Sequence, residues 1–244
     1  MCKISSYVVA ATVLVALALC PVAAKADIFS FELTFATTQT GSGTPNFATL
    51  FPGPYALVTV TTPTLNSNMA TITFDSSSFG SGGHTYYMGD GGAAALNVNA
   101  SSFNVGITGG PTGSDPGWNN ILPVVHLGGI GVDGTNFGNF NLRIDNTCTG
   151  CDGGYNAGLV QTLSFTLTNT GTTWADAAAV LVANGSGFDA ESHITAEGGS
   201  CAPGATTLCH GYAGNSVPEP PVNALLACSA LLFGGLFLRR PLWS

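Results

Sequence analysis

The sequence predicts an all-β fold, a mostly antiparallel sandwich of two sheets that carries one short helix. Two observations favour this fold class. Short runs of residues alternate between apolar and polar side chains, which is the period of a strand with one buried face. Glycine-rich clusters that favour turns separate the runs, and the chain has 33 glycines. Hydrophobic residues make up 45% of the chain, enough to build a core.

The alternating runs predict strands along most of the chain. The predicted strands are 28–35, 55–61, 70–74, 96–99, 102–105, 140–144, 163–167 and 187–194. Their Thr, Val, Ile and Phe residues suit a pleated, half-buried surface. Segment 174–183 breaks the pattern, because its alanine-rich composition favours a helix and Asn184-Gly185 would end that helix. We therefore expect a short helix packed on one edge of the sandwich.

Residues 1–26 have the features of a secretory signal peptide. Lys3 gives a positive start, residues 7–19 are apolar apart from one threonine, and Ala24-Lys25-Ala26 is a small-residue cleavage site. We predict that cleavage occurs after Ala26, so that the exported chain begins at Asp27. The alternative is a permanent N-terminal anchor, for which the apolar run is short.

A cysteine at the end of the apolar run raises the alternative of a lipoprotein. Lipidation would use Cys20, but Leu19 stands where lipoprotein sites have a small residue. Cleavage after Ala26 remains the preferred interpretation.

The C-terminal end contains an uncharged, mostly apolar stretch at 221–238. As a helix, its 18 residues would reach about 27 Å, close to the ~30 Å of a hydrocarbon core. Arg239 and Arg240 follow it, and such positive residues stay on the cytoplasmic side. We therefore predict a transmembrane helix, with residues 27–216 forming one domain outside the membrane.

The charge of residues 27–216 limits the partners of this domain. Arg143 is its single Lys or Arg residue, against twelve acids, so the formal charge is −11. A surface of this sign repels the phosphates of nucleic acids. We expect no nucleic-acid partner.

A short box before the predicted span completes a three-part pattern. The box is Val217-Pro218-Glu219-Pro220, and its prolines favour an extended chain that a peptidase can reach. Box, span and the terminal Arg239-Arg240 together resemble the PEP-CTERM sorting tail. In that family the tail is recognised by exosortase, a membrane-embedded cysteine peptidase of Gram-negative bacteria.

The resemblance implies that residues 217–244 are a sorting tail. The expected partners are the Sec machinery, an exosortase-type peptidase and the membrane, which the C-terminal span would enter. The chain would be held at first in the inner membrane and would then pass to the cell surface or the extracellular matrix. The alternative is an ordinary single-pass anchor with a proline-rich linker.

Four cysteines, Cys148, Cys151, Cys201 and Cys209, lie in the predicted exported domain. An even number in an oxidising compartment predicts two disulfides, and three connectivities exist. Cys148–Cys151 and Cys201–Cys209 are favoured because each pair is local and flanked by glycine or proline. Redox catalysis is the first alternative, but no helix follows the C-x-x-C motif. Zinc binding is the second, but the second pair is too widely spaced.

No pattern in the chain predicts a catalytic, metal or cofactor site. The four histidines, His84, His126, His193 and His210, are scattered, and neither G-x-S-x-G nor H-E-x-x-H occurs. Glu191 lies two residues before His193 on a predicted strand, so the two side chains share one face. This face is either half of a metal site or, as we expect, an ordinary polar surface.

The expected function is that of a non-enzymatic surface or matrix protein. The resemblance to PEP-CTERM proteins implies sorting through the tail and association with exopolysaccharide in a biofilm. A carbohydrate-binding module on the same sandwich is the first alternative, with Trp118, Trp174 and exposed tyrosines as rings that could stack on sugars. Core packing would explain Trp174 equally well. A secreted hydrolase is the second alternative.

Overall fold

The computed structural model describes residues 25–38, 47–89, 93–112, 123–130, 137–146, 159–197 and 209–215. Within these ranges the chain forms mainly antiparallel strands and one short helix. In chain order the elements are β1 (Asp27–Leu33), β2 (Phe35–Thr38), α1 (Phe47–Leu50), β3 (Ala56–Thr62), β4 (Met69–Asp75), β5 (Gly80–Ser81), β6 (His84–Met88), β7 (Ala94–Leu96), β8 (Phe103–Thr112), β9 (Pro123–Ile130), β10 (Phe140–Asn146), β11 (Thr162–Asn169), β12 (Ala190–Glu197) and β13 (Cys209–Gly214).

The strands form two antiparallel sheets. Sheet A has the spatial order β1-β3-β4-β11-β8. Sheet B has the order β2-β13-β12-β7-β10-β9, and β6 also pairs with β12 while β5 pairs with β6. The predicted all-β, mostly antiparallel fold is therefore confirmed in the described residues.

Alternation along the strands builds the core between the two sheets. In β3 and β11 every second side chain is buried, and these residues include Val58, Val60, Phe165 and Leu167. Residues of sheet B, such as Ile194, belong to the same apolar cluster. The period-two pattern in the sequence thus corresponds to one face of sheet A that packs inward and one that faces outward.

The chain changes sheet at Thr34, inside the run predicted as the strand 28–35. Residues before it pair with β3 of sheet A, and residues after it pair with β13 of sheet B. The backbone N–H of Thr34 donates to the carbonyl of Gly214 at 3.1 Å. The predicted strand is therefore two strands, which places the first part of the domain beside its last strand.

The helix predicted at 174–183 is wrong. This segment consists of bends and turns, with isolated bridges from Ser67 to Trp174 and from Val98 to Leu181. The Val180 carbonyl accepts from Asn99 N–H, and Val182 N–H donates to Asn97. Bonds to distant backbone outweigh the intrinsic helix propensity of the alanines, since propensity amounts to only a few tenths of a kcal/mol per residue.

The single described helix, α1, is one turn long and lies elsewhere, at Phe47–Leu50. It places Phe47 against β13, where the side chain is 2% exposed. None of the helical residues that the structure describes forms a segment long and apolar enough to cross a membrane. The predicted span 221–238 lies outside the described residues.

Candidate functional site

Most of the predicted sorting and processing residues lie outside the described part of the chain. They are Ala24, Val217, Pro218, Glu219, Pro220, Arg239 and Arg240. Ala26 and Asp27 are described. Asp27 is the first residue of β1, and its Oδ2 accepts a 2.7 Å hydrogen bond from the backbone N–H of Ala177. The residue predicted to begin the exported chain is therefore part of the folded domain.

Cys209 is the one predicted disulfide residue within the described ranges. It is the first residue of β13, is 1% exposed and takes part in a disulfide bond. Its partner lies outside the described residues, as do Cys148, Cys151 and Cys201. The pairings Cys201–Cys209 and Cys148–Cys151 remain predictions.

The end of β13 is fixed by Asn215, which is 2% exposed. Its Oδ1 accepts from the backbone N–H of Ala190 at 3.0 Å, and its Nδ2 donates to Asp189 Oδ2 at 3.2 Å. Its backbone N–H also donates to the Ala190 carbonyl at 3.4 Å. We call these three bonds the Asn215 clamp. They tie the last described residue of the domain to the start of β12.

The carboxyl group in the Asn215 clamp has an altered acidity. Burial raises the pKa of Asp189 above its ordinary value of 3.8, and the hydrogen bond from Asn215 offsets part of that rise. A carboxylate removed from water favours its neutral form, while a donor that faces it favours the charged form. The clamp therefore contains a group whose charge is costly to bury.

Glu191 and His193 lie on β12 and share a face, as predicted, but that face is buried. Their side chains are 0% and 1% exposed. The expectation of an ordinary polar surface is therefore wrong. The reason is a second, smaller apolar cluster that includes Phe137, Phe140 and Tyr212, with Phe188 packed against it, on this side of sheet B. Single-strand alternation does not reveal that a face is covered by other parts of the chain.

The polar side chains of β12 contact side chains of β13. The ring of His193 stacks on Tyr212, with centroids 4.6 Å apart, and lies 5.4 Å from the ring of His210. Thr195 Oγ1 and His210 Nδ1 are hydrogen-bonded at 2.9 Å. Among the residues that the structure describes, no three His, Cys, Asp or Glu side chains are arranged to hold a metal ion. His193 is buried, whereas His210 is partly exposed.

Trp174 is not a platform for sugar rings. It is 3% exposed, and its Nε1 donates to the carbonyl of Asn99 at 2.8 Å. Of the two interpretations of Trp174, core packing is confirmed and stacking on sugars is wrong. Trp118 lies outside the described residues.

The outer face of sheet A carries rows of hydroxyl groups. They come from residues that alternate with the buried ones and that are paired across strands. We call this surface the hydroxyl face; it contains Thr59, Thr61, Thr71, Thr73, Thr162, Ser164, Thr166 and Thr168. Neighbouring members lie on strands about 4.8 Å apart. Thr73 and Ser164 are hydrogen-bonded to each other at 2.7 Å.

A shallow cleft of about 220 Å³ lies on the hydroxyl face. Hydroxyl groups of Thr61, Thr71 and Thr166 line it, and Pro63 and Met69 add apolar contact. Met69 is 48% exposed. The Thr166 hydroxyl donates to the Gly106 carbonyl at 3.1 Å, so it can offer a ligand only acceptor sites. The cleft thus combines a few uncharged polar groups with a larger apolar surface. Strand alternation predicts the outward threonines, but the pairing that gathers them was not evident in the sequence.

Comparisons of the chain with protein-family models, with curated proteins and with solved structures find no match. The site is therefore interpreted from its own geometry and chemistry.

Proposed function

We propose that this chain is an exported, non-enzymatic surface or matrix protein that is sorted through its C-terminal tail. An exosortase-type peptidase of the inner membrane recognises the box at 217–220 and removes the segment beyond it. The sandwich then remains at the cell surface or in the extracellular matrix, in association with exopolysaccharide.

The observation that carries this proposal is the position of the folded domain within the chain. β1 begins at Asp27, and β13 ends at Gly214, three residues before Val217. These limits agree with the cleavage predicted after Ala26 and with the box that begins at Val217. Because Asn215 is buried and clamped, removal of the tail beyond the box would leave every described strand in place.

A carbohydrate-binding module is the second candidate, and the cleft on the hydroxyl face favours it. Sugar rings carry hydroxyl groups that donate and accept, together with apolar C–H surfaces. The cleft offers both kinds of contact through Thr71, Thr166 and Met69. The occupant that this chemistry suits is a neutral polysaccharide.

The sorting proposal is tested by the intact mass of the protein from cells that contain the membrane peptidase and from cells that lack it. We expect a chain that begins at Asp27 in both. In cells with the peptidase, residues 221–244 should be missing. Reduction should add about four daltons, two hydrogen atoms for each of two disulfides.

A mass that still contains residues 221–244 in both kinds of cell would contradict the proposal. The protein would then be a plain membrane-anchored domain. A gain of about two daltons on reduction would leave the sorting proposal standing and remove one of the two predicted disulfides.

A further inference from the structure

The last strand that the structure describes, β13, is paired on both sides. β13 lies between β2 and β12, and its residues pair with both neighbours, as Gly214 does with Phe35 and Glu191. The Asn215 clamp continues this attachment by one residue beyond the strand. The backbone of β13 and of Asn215 thus takes part in hydrogen bonds within the domain.

The distance between this attachment and the sorting box is short. Only Ser216 separates Asn215 from Val217. Two residues of extended chain span about 7 Å, so the box begins within that distance of the clamp. A peptidase that binds an extended substrate needs free backbone on both sides of the bond it cuts, and folded backbone must first open locally.

We propose that the Asn215 clamp limits the rate at which the tail is removed. The peptidase acts on the minor population in which Asn215 has left Asp189 and Ala190, because only then does the chain before the box have enough length to enter an extended binding groove. Asn215 is accordingly a positioning residue that acts on the box through the chain. This inference rests on the sorting function proposed above.

The test follows removal of the tail by pulse-chase labelling of the full chain in cells that contain the peptidase. Asn215→Ala removes both side-chain bonds of the clamp. We expect removal to be about fivefold faster or more, because the loss of both side-chain hydrogen bonds raises the open population by about that factor. Asp189→Asn keeps an acceptor for Asn215 Nδ2, so its rate should stay close to that of the wild type.

A second asparagine in the chain provides a matched control. The side chain of Asn141 also makes two hydrogen bonds to backbone, at 2.8 and 2.7 Å to Val98. Asn141 lies on β10, and two strands of sheet B, β12 and β7, separate β10 from β13. Asn141→Ala should weaken the fold to a similar degree without a faster removal of the tail. Equal acceleration by Asn141→Ala and Asn215→Ala would overturn the inference, because general loss of stability would explain both.

An insertion separates chain length from folding. Adding Gly-Ser-Gly-Ser between Ser216 and Val217 leaves the clamp in place and supplies free chain before the box. It should accelerate removal in the wild type, and Asn215→Ala should then add little. No acceleration by the insertion would overturn the inference. If the wild type shows no peptidase-dependent removal at all, the sorting function itself fails, which is a distinct result.

Discussion

At the scale of single residues, burial and charge oppose each other at Asp189. Its folded-state pKa is raised above 3.8 by burial. The folded protein therefore binds this proton more tightly than the unfolded chain. The stability that Asp189 contributes is fully present below pH 3.8 and is lost as the pH rises through the folded-state pKa.

Asp189→Asn removes this dependence, because an amide does not ionise. We expect the wild type to lose free energy of unfolding as the pH rises from below 3.8 to neutral, because Asp189 ionises, whereas the variant does not lose this contribution. The variant should therefore be more stable relative to the wild type at neutral pH than at low pH. Urea unfolding of both proteins at the two pH values measures the difference. A difference that is the same at both pH values would contradict a raised pKa at Asp189.

At the scale of elements, the contact of α1 with β13 depends on a glycine. A Cβ atom at Gly211 would lie 2.6–2.9 Å from three atoms of Phe47, closer than carbon atoms pack. Gly211→Ala should therefore lower the free energy of unfolding by about 1–3 kcal/mol, the usual cost of overpacking. Chemical denaturation measures this loss.

Gly185 provides the control for that substitution. A Cβ atom there would meet nothing within 4 Å. Gly185→Ala should leave the free energy of unfolding nearly unchanged. Equal stability of Gly211→Ala and Gly185→Ala would mean that Phe47 moves aside without cost.

The sequence predicted those strands whose alternating pattern is visible within the strand itself. Alternation identified strands such as β3, β4 and β11, because half-burial imposes period two on each strand separately. It did not predict β13, which is rich in glycine and has little alternation. It also assigned segment 174–183 to a helix, since the bridges that hold this segment link it to residues about 80 or more positions away.

The same limit applied to the candidate sites. The shared face of Glu191 and His193 follows from their spacing and was predicted. Its burial depends on Phe137 and Phe188, which only the folded chain brings together. The Asn215 clamp was not predicted either, because its partners lie 25 and 26 residues earlier and a lone asparagine after a short strand carries no signal.

At the scale of the whole molecule, the net charge limits which polysaccharides the second candidate function could involve. Residues 27–216 carry a formal charge of −11, so acidic glycans are repelled. The hydroxyl face belongs to sheet A, whereas Arg143 lies on β10 of sheet B. If the second candidate function holds, the mature protein should sediment with an insoluble neutral glucan more strongly than with an acidic glycan.

Removing the hydroxyl groups of the cleft tests whether the cleft is the surface that binds the glucan. The triple substitution Thr61→Val, Thr71→Val and Thr166→Val keeps side-chain shape and strand propensity but removes three donors and acceptors. Binding to the neutral glucan should weaken roughly tenfold, about 1.4 kcal/mol. Co-sedimentation at a series of glucan concentrations gives the affinity.

Three exposed threonines outside the hydroxyl face form the matched control, namely Thr34, Thr172 and Thr173. Their replacement by valine removes as many hydroxyl groups and should leave glucan binding unchanged. Loss of binding in both triple variants would show that the cleft has no particular part in it.

The placement of β13 between β2 and β12 also determines how the domain would respond to force. If the tail remains attached while the matrix moves, tension enters the domain through Asn215 and runs along β13. A pull along the strand axis shears the hydrogen bonds to both neighbours at once, so they share the load and do not open one after another. Tension along the strand axis would therefore have to break these bonds together, which takes more force than opening them one after another.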